Sequence, residues 1–469
     1  MKLNLLEKAK KLSIDKGQPI LVSMVNQINM LDPLAFFEAG KRFFNGNRNF
    51  WSDPEEELIL VGLGSMYSIQ TDSPNRYQQV EKEWQAFLKN VFPESLNNPM
   101  GTGPLLIGGF SFDPLKEKTM LWKQFEETML MLPKFMLTIS KGEAYLTINE
   151  FVSEHTNTEE TTRQLTYIEE NLISDAFKIL IPTSNLNTQI EAIEIEPEKW
   201  KQAVTNLAKE VREGVLEKVV LARELRLRSE DSFSPYSTLY HLREEQAHSY
   251  LFAIEKGADC FLGATPERLI KKTGDEMLST CLAGSIKRGE TPAEDERLGN
   301  WLLQDSKNLH EHGLVVKMIS IAMEQVCQTV EIPHHPVLIK LRNIQHLYTP
   351  VKGKAKTDSL ILDMVNLLHP TPALGGYPKE IAMKKIRDEE LLDRGWYAGA
   401  VGWLDARGNG EFAVAIRSGL LQGKEASLFA GCGIVGDSNP ESEYQETIIK
   451  FKPMLSALGG NLKWHQQVH

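Results

Sequence analysis

Cysteine is scarce in this chain of 469 residues: Cys260, Cys281, Cys327 and Cys432, with no C-x-x-C pair. That excludes a disulfide framework and a cysteine-ligated zinc module, and it fits reduced thiols in the cytoplasm. Long apolar runs are missing too. Nowhere do about 18 apolar residues stand together, so no membrane-spanning helix is expected. The opening stretch, MKLNLLEKAKKLSIDKG, has lysines throughout and no apolar h-region, so it does not read as a signal peptide. Dense basic clusters are also lacking. With 52 Lys and Arg against 63 Asp and Glu, the formal net charge is −11, and no patch is built to neutralise nucleic-acid phosphates. Neither nucleic acid nor membrane is an expected partner, and no obligate protein partner is implied. An acidic chain can still bind an anionic small molecule, given concentrated local positive charge or a metal ion.

What is present is ordinary for a globular protein. Apolar residues make up 42% and charged residues 25% of the chain, and the length allows a large core. No internal repeat stands out. Polar stretches at 153–164 and 182–199 are candidate boundaries. The second is the better one, because the helical pattern EKWKQAVTNLAKEVREG follows it, with Gly214 as a plausible stop. The first part mixes strand-like runs with amphipathic helices. Its GTGPLLIGGFSFDP segment is glycine-rich, but the spacing is not that of a dinucleotide fingerprint; those glycines suit tight strand packing. The second part contains KVVLARELRLR, SYLFAIEKG, CFLGATPERLIKKTG and EMLSTCLAGSIKRG, short strands broken by glycine turns. A long helix is expected from about Asp305 to Cys327 and another over 357–368. ARGNGE carries a hairpin signal centred on Asn-Gly. Hairpins outnumber βαβ units, so the fold class is α+β with largely antiparallel sheets.

PESEYQETIIK, residues 440–450, is by composition a solvated helix face. Helical phase qualifies that reading. At about 100° per residue, Glu443, Glu446 and Lys450 fall within an arc of roughly 60° beside the apolar arc of Tyr444, Ile448 and Phe451. Glu441 points to the opposite side. Glu311, near the start of the long helix, would supply with Glu446 two hard oxygen ligands from two helices, a set that suits Mg²⁺. His310 and His312 diverge by about 200° on a helix and cannot share a metal there.

Lys218 opens the strand KVVLAR. Strand-end lysines are ordinarily solvated. This one shares a face with Val220 and Ala222, and partial desolvation would lower its pKa and suit it to act as a base. Glu267, after Pro266, is either an exposed turn residue or an acid presented to a cleft. Arg417 lies in the apolar run FAVAIRSGLL, which reads as a strand; a buried arginine there needs an anionic partner.

These pieces have an order. EKVVLAR, FLGATPERLI, LAGSIKRGE, SKNLHEHGLVV, IQHLYTPVKG, HPTPALGGYPK, RGWYAGAVGW, FAVAIRSGLL and LFAGCGIVGDSNPESEYQET resemble, in sequence, the chorismate-binding enzymes. Members include the isochorismate, anthranilate, aminodeoxychorismate and salicylate synthases. The resemblance covers roughly residues 198–458, and GGFSFDP in the first part is similar too. It divides the chain into an N-terminal α+β part of the fold (1–197), a catalytic part (198–458) and a tail (459–469). It implies two large packed antiparallel sheets, outer helices and an active site in a cleft between the sheets.

Carried over residue by residue, the resemblance implies Mg²⁺ held by Glu311 and Glu446, with Glu443 supporting. Lys450, Arg417 and Tyr397 would lie near the carboxylates of chorismate, and His346 near its ring. Gly284, Ser285, Gly431 and Gly433 would approach the substrate through their backbone. Lys218 matches the base and Glu267 the acid. LAGSIKRGE lacks the lysine motif of aminodeoxychorismate synthases, anthranilate synthases carry no lysine at the Lys218 position, and salicylate synthases carry threonine where Ala373 stands. The implied reaction is water addition at C2 with loss of the C4 hydroxyl, stopping at isochorismate. The long first part resembles the menaquinone-type enzymes. A siderophore-pathway enzyme, or a salicylate synthase that releases pyruvate, is the alternative.

Overall fold

The computed structural model describes residues 2–93, 99–182, 189–340, 344–459 and 461–465. Among these, the strands form two sheets, one of thirteen strands and one of ten. Every named pairing is antiparallel except that of Asn461–His465, which runs parallel to Gln189–Glu194. Both sheets mix early and late strands. Arg48–Ser52 pairs with Tyr250–Lys256 in the larger sheet, and Leu105–Phe110 pairs with Ala400–Asp405 in the smaller. Residues 461–465, within the segment set apart as a tail, add a strand to the larger sheet.

The glycines of LLIGGF serve close strand contact. A Cβ on Gly108 would lie 2.0 Å from the Met129 carbonyl oxygen, and one on its partner Gly402 would lie 2.0 Å from that of Glu411. Side chains between the sheets form the main core. Trp122, Phe125, Phe261, Trp396 and Phe429 pack there with ring centroids 5.3–6.4 Å apart.

Two corrections bear on the site. Arg417 is not inside a strand. Gly410–Val414 belongs to the smaller sheet and Ser418–Gln422 to the larger, so residues 415–417 carry the chain from one sheet to the other. Arg417 sits in that crossing with φ 52°. The apolar run hid the crossing because both flanking strands are buried. The ARGNGE turn is also displaced from its expected centre. Gly408, not Gly410, has the positive φ (78°), and Asp405 and Asn409 close the loop through Asp405 N–H to Asn409 O at 2.8 Å.

The helices match the expected pattern closely. Pro197–Arg212 ends before Gly214 at φ 77°. Ser306–Val326 is capped by Asp305, which accepts from the Asn308 N–H at 2.9 Å. The 357–368 segment contains a shorter helix, Ile361–Leu368. Pro440–Leu458 is capped by Asn439 and runs through Pro453 to Gly459. No helix among the described residues is long and apolar enough to cross a membrane.

Candidate active site

A second sheet-to-sheet crossing accompanies the first. Asp259–Thr265 lies in the larger sheet and Arg268–Thr273 in the smaller, so Pro266 and Glu267 bridge them. The two crossings hydrogen-bond to each other. Val414 N–H donates to Glu267 O at 3.0 Å, and Ala264 N–H donates to Arg417 O at 3.1 Å. Gly263 permits this approach, since a Cβ there would lie 2.7 Å from the Arg417 carbonyl oxygen. The expected acid and the expected carboxylate-binding arginine are therefore neighbours through the backbone, on the line where the sheets meet.

One wall comes from two paired strands, Lys218–Ser229 and Glu425–Ile434, with Val220 opposite Gly433 and Ala222 opposite Gly431. Lys218 is half-buried, and its Cε fills the space that a Cβ on Gly433 would need, 2.7 Å away. Lys450 donates to the Gly431 carbonyl at 2.7 Å and pairs with Glu446 at 2.7 Å. Tyr397 is buried and stacks on Phe429 at 5.4 Å, two residues before Gly431. Ala373 occupies a turn whose next residues run along the free edge of the 218–229 strand, where Gly375 O accepts from Val220 N–H at 3.0 Å.

The charges in this cleft act on one another. Burial pushes Glu267 up to about 7, against the pull of Lys450 and then Lys218. Burial likewise pushes His346 down to about 4, helped by Arg417 and Lys450, so its ring is neutral at pH 7. Burial lowers Arg417 from its ordinary value, while Tyr397 and Glu446 oppose the shift. Lys450 and Lys218 both act on the Glu267 carboxyl, and Arg417 and Lys450 both act on His346, so positive charge is concentrated here in an acidic protein. His346 pairs with Ser285 across a bulge at residues 283–284, where Gly284 has φ 78° and lies close to Asn308.

Of the three carboxylates expected at a metal, Glu443 and Glu446 lie beside Lys450. Glu443 is half-buried. Burial and the neighbouring Glu446 raise its pKa, and it hydrogen-bonds Ser438 and Cys432. Glu446 is exposed at the cleft edge. Glu311 is half-buried on the Ser306–Val326 helix, one turn beyond Lys307, which pairs with Asp437 at 3.5 Å. That ion pair ties the start of this helix to the loop before the Glu443–Glu446 helix. Among the described residues, however, no group of three or more His, Cys, Asp or Glu side chains is gathered to hold a metal ion. The donor chemistry fits Mg²⁺ all the same: every candidate atom is a carboxylate oxygen, and Glu443 and Glu446 are a like-charge pair that a cation would relieve.

His312 is structural. It is buried, with Nδ1 2.9 Å from Ala283 O and Nε2 2.7 Å from Thr349 Oγ1. Glu441 lies on the surface and pairs with Lys201 at 2.8 Å. Sequence reasoning passed over Glu390 and Arg394, which are buried beside Val220 and Ala222 of the strand that Lys218 opens. Arg394 opens the RGWYAGAVGW motif, but neither residue was singled out from it.

Known proteins resemble this chain over nearly its whole length. The chorismate binding enzyme family model matches residues 5–459. The isochorismate synthase MenF of Bacillus subtilis is 45% identical over 466 residues, covering 98% of this chain and 97% of that one. The salicylate biosynthesis isochorismate synthase of Pseudomonas aeruginosa is 37% identical, covering 94% of this chain and 92% of that one. Among solved structures, the menaquinone-specific isochorismate synthase MenF of Escherichia coli superposes with a TM-score of 0.78 at 26% identity, covering 97% of this chain and 99% of that chain. The chain belongs to the chorismate-binding enzyme family.

Proposed function

We propose that this chorismate-binding enzyme is an isochorismate synthase, and that its role is to supply isochorismate for menaquinone synthesis. The observation that carries the reading is Glu267. Burial pushes its pKa up to about 7, and the charges of Lys450 and then Lys218 act on it. A carboxyl poised at that value can donate a proton at neutral pH, and a lysine within its electrostatic reach can accept one when in its amine form. Near full-length similarity to an enzyme named isochorismate synthase supports the same reading.

In the proposed reaction, the amine form of Lys218 takes a proton from water as the oxygen attacks C2 of chorismate. The ring double bonds shift, and the C4 oxygen leaves with the proton of Glu267 as a second water. Lys218 then returns its proton to the depleted acid through solvent, so the exchange is balanced and reversible. Arg417, Lys450 and Tyr397 hold the substrate carboxylates. Neutral His346, with Ser285 and the backbone at Gly284, lies along the ring. Bound Mg²⁺ would neutralise the ring carboxylate and draw electrons toward C1; Glu311 and Glu446 would hold it, with Glu443 in support. Each proton-transfer group is asked for about 10²- to 10⁴-fold in rate.

The pathway assignment rests on the extent of the match to the menaquinone-specific Escherichia coli structure. The few scattered cysteines support a reducing, cytoplasmic setting. Incubation with chorismate and magnesium, followed by chromatography of the products, tests the activity.

A further inference from the structure

The strand that begins at Lys218 has a gap along one side. Glu425–Ile434 pairs with it continuously from Val219 to Arg228. On the other side, Gly376–Tyr377 reaches only Lys218 and Val219, and Gln189–Glu194 begins at Leu225. Val220 and Ala222 are buried in between. Unpaired peptide groups there would cost the full penalty of burial without hydrogen bonds.

Side chains and one loop carbonyl fill the gap. Val220 N–H donates to Gly375 O at 3.0 Å, and Val220 O accepts from Arg394 Nη2 at 2.9 Å. Ala222 N–H donates to Glu390 Oε2 at 2.9 Å, and Ala222 O accepts from Trp200 Nε1 at 3.1 Å. Glu390 and Arg394 are themselves buried and joined by two hydrogen bonds of 2.6 and 2.7 Å. Arg394 also donates to Leu374 O at 2.9 Å, beside Ala373, and its guanidinium lies 4.1 Å over the Phe112 ring.

A buried ion pair is a weak source of net stability, and an apolar pair of similar volume often serves as well. An apolar pair could not satisfy three separate backbone groups at fixed points. We propose that Glu390 and Arg394 are positioning residues: they stand in for the absent strand and set where the end of the 218–229 strand presents Lys218. Arg394 locks the Ala373 loop to that strand through Leu374. This inference rests on Lys218 being the base.

The test uses the full chain with chorismate and magnesium. Arg394→Lys keeps the charge but cannot span Val220, Leu374 and Glu390 together. Its kcat should fall roughly 10- to 100-fold, while the Kd for chorismate stays within about threefold of wild type. In a Lys218→Ala background the same substitution should lower the residual rate by less than about threefold, since it acts through Lys218. A merely structural role would multiply the two losses instead, and that result overturns the inference. So does an unchanged kcat in a folded Arg394→Lys variant. Should Arg394→Lys not fold, Glu390→Gln keeps an acceptor for the Ala222 N–H but loses the charge that holds Arg394. It should lower kcat by roughly three- to tenfold, and unchanged turnover in that variant also overturns the inference. Wild-type protein, assayed in parallel, separates this from the function itself. If the wild type forms no isochorismate, the proposed function fails; if only the variants behave as wild type, the positioning role fails.

Discussion

The Cε of Lys218 lies 2.7 Å from where a Cβ on Gly433 would stand. The glycine is thus the mould of the lysine, and its bareness has a use beyond letting a ligand approach the backbone. Gly433→Ala should push the lysine aside at little cost to folding, because the displaced group is the end of a flexible side chain. The expected result is a roughly 10- to 100-fold lower kcat with nearly unchanged thermal unfolding. A variant with normal kcat would show that the lysine can do its work from elsewhere.

Lys218→Ala removes the proposed base outright. Isochorismate formation should fall by about 10²- to 10⁴-fold, while titration calorimetry still detects chorismate and magnesium binding. Near-normal turnover would sink the base assignment.

Glu267 links rate and stability to pH with the same sign: both fall as pH rises. The rate should decline as pH rises through about 7, because the donating form is lost. Glu267→Gln should be slow at every pH. Its stability should show the reverse of a loss. The carboxyl has an ordinary value of 4.5, and burial raises it to about 7 in the fold. Below 4.5 both folded and unfolded chains hold the proton, and the wild type bears no penalty. As pH rises between these values, the unfolded chain gives up its proton first, and folded stability is lost. Above 7 the loss is complete, on the order of 3 kcal/mol. The glutamine variant escapes it. Its melting temperature should exceed that of wild type at pH 8, with the gap narrowing toward pH 4.5. Parallel melting curves at both ends would contradict the burial argument.

Glu446→Gln removes one carboxylate proposed for magnesium and also breaks the ion pair with Lys450 at 2.7 Å. The magnesium concentration for half-maximal rate should rise at least about tenfold, and magnesium should raise the melting temperature less than it does in wild type. An unchanged magnesium response in both measurements would take Glu446 out of the metal site.

Local periodicity was legible in advance. The stripe of Glu443, Glu446 and Lys450 beside Tyr444 and Phe451 follows from the 3.6-residue repeat alone; the structure buries Phe451, half-buries Glu443, Tyr444 and Lys450, and leaves Glu446 exposed. The cap at Asp305 and the stop at Gly214 are equally local. What stayed hidden depends on distant partners. FAVAIRSGLL is apolar on both sides of a passage between sheets, so no change in polarity marks the turn at Arg417. The Asn-Gly of ARGNGE looked like the turn centre, yet the Asp405–Asn409 hydrogen bonds place the left-handed residue at Gly408. Nothing local in the sequence marks Glu390 and Arg394 as buried. Only the missing stretch of partner strand beside Val220 and Ala222 explains why such residues are buried.

The most direct measurement is a single incubation of the purified chain with chorismate and magnesium, with isochorismate and pyruvate quantified together. Isochorismate should accumulate to an equilibrium with chorismate, without pyruvate. Stoichiometric pyruvate with salicylate, or no isochorismate at all, would contradict the proposed function.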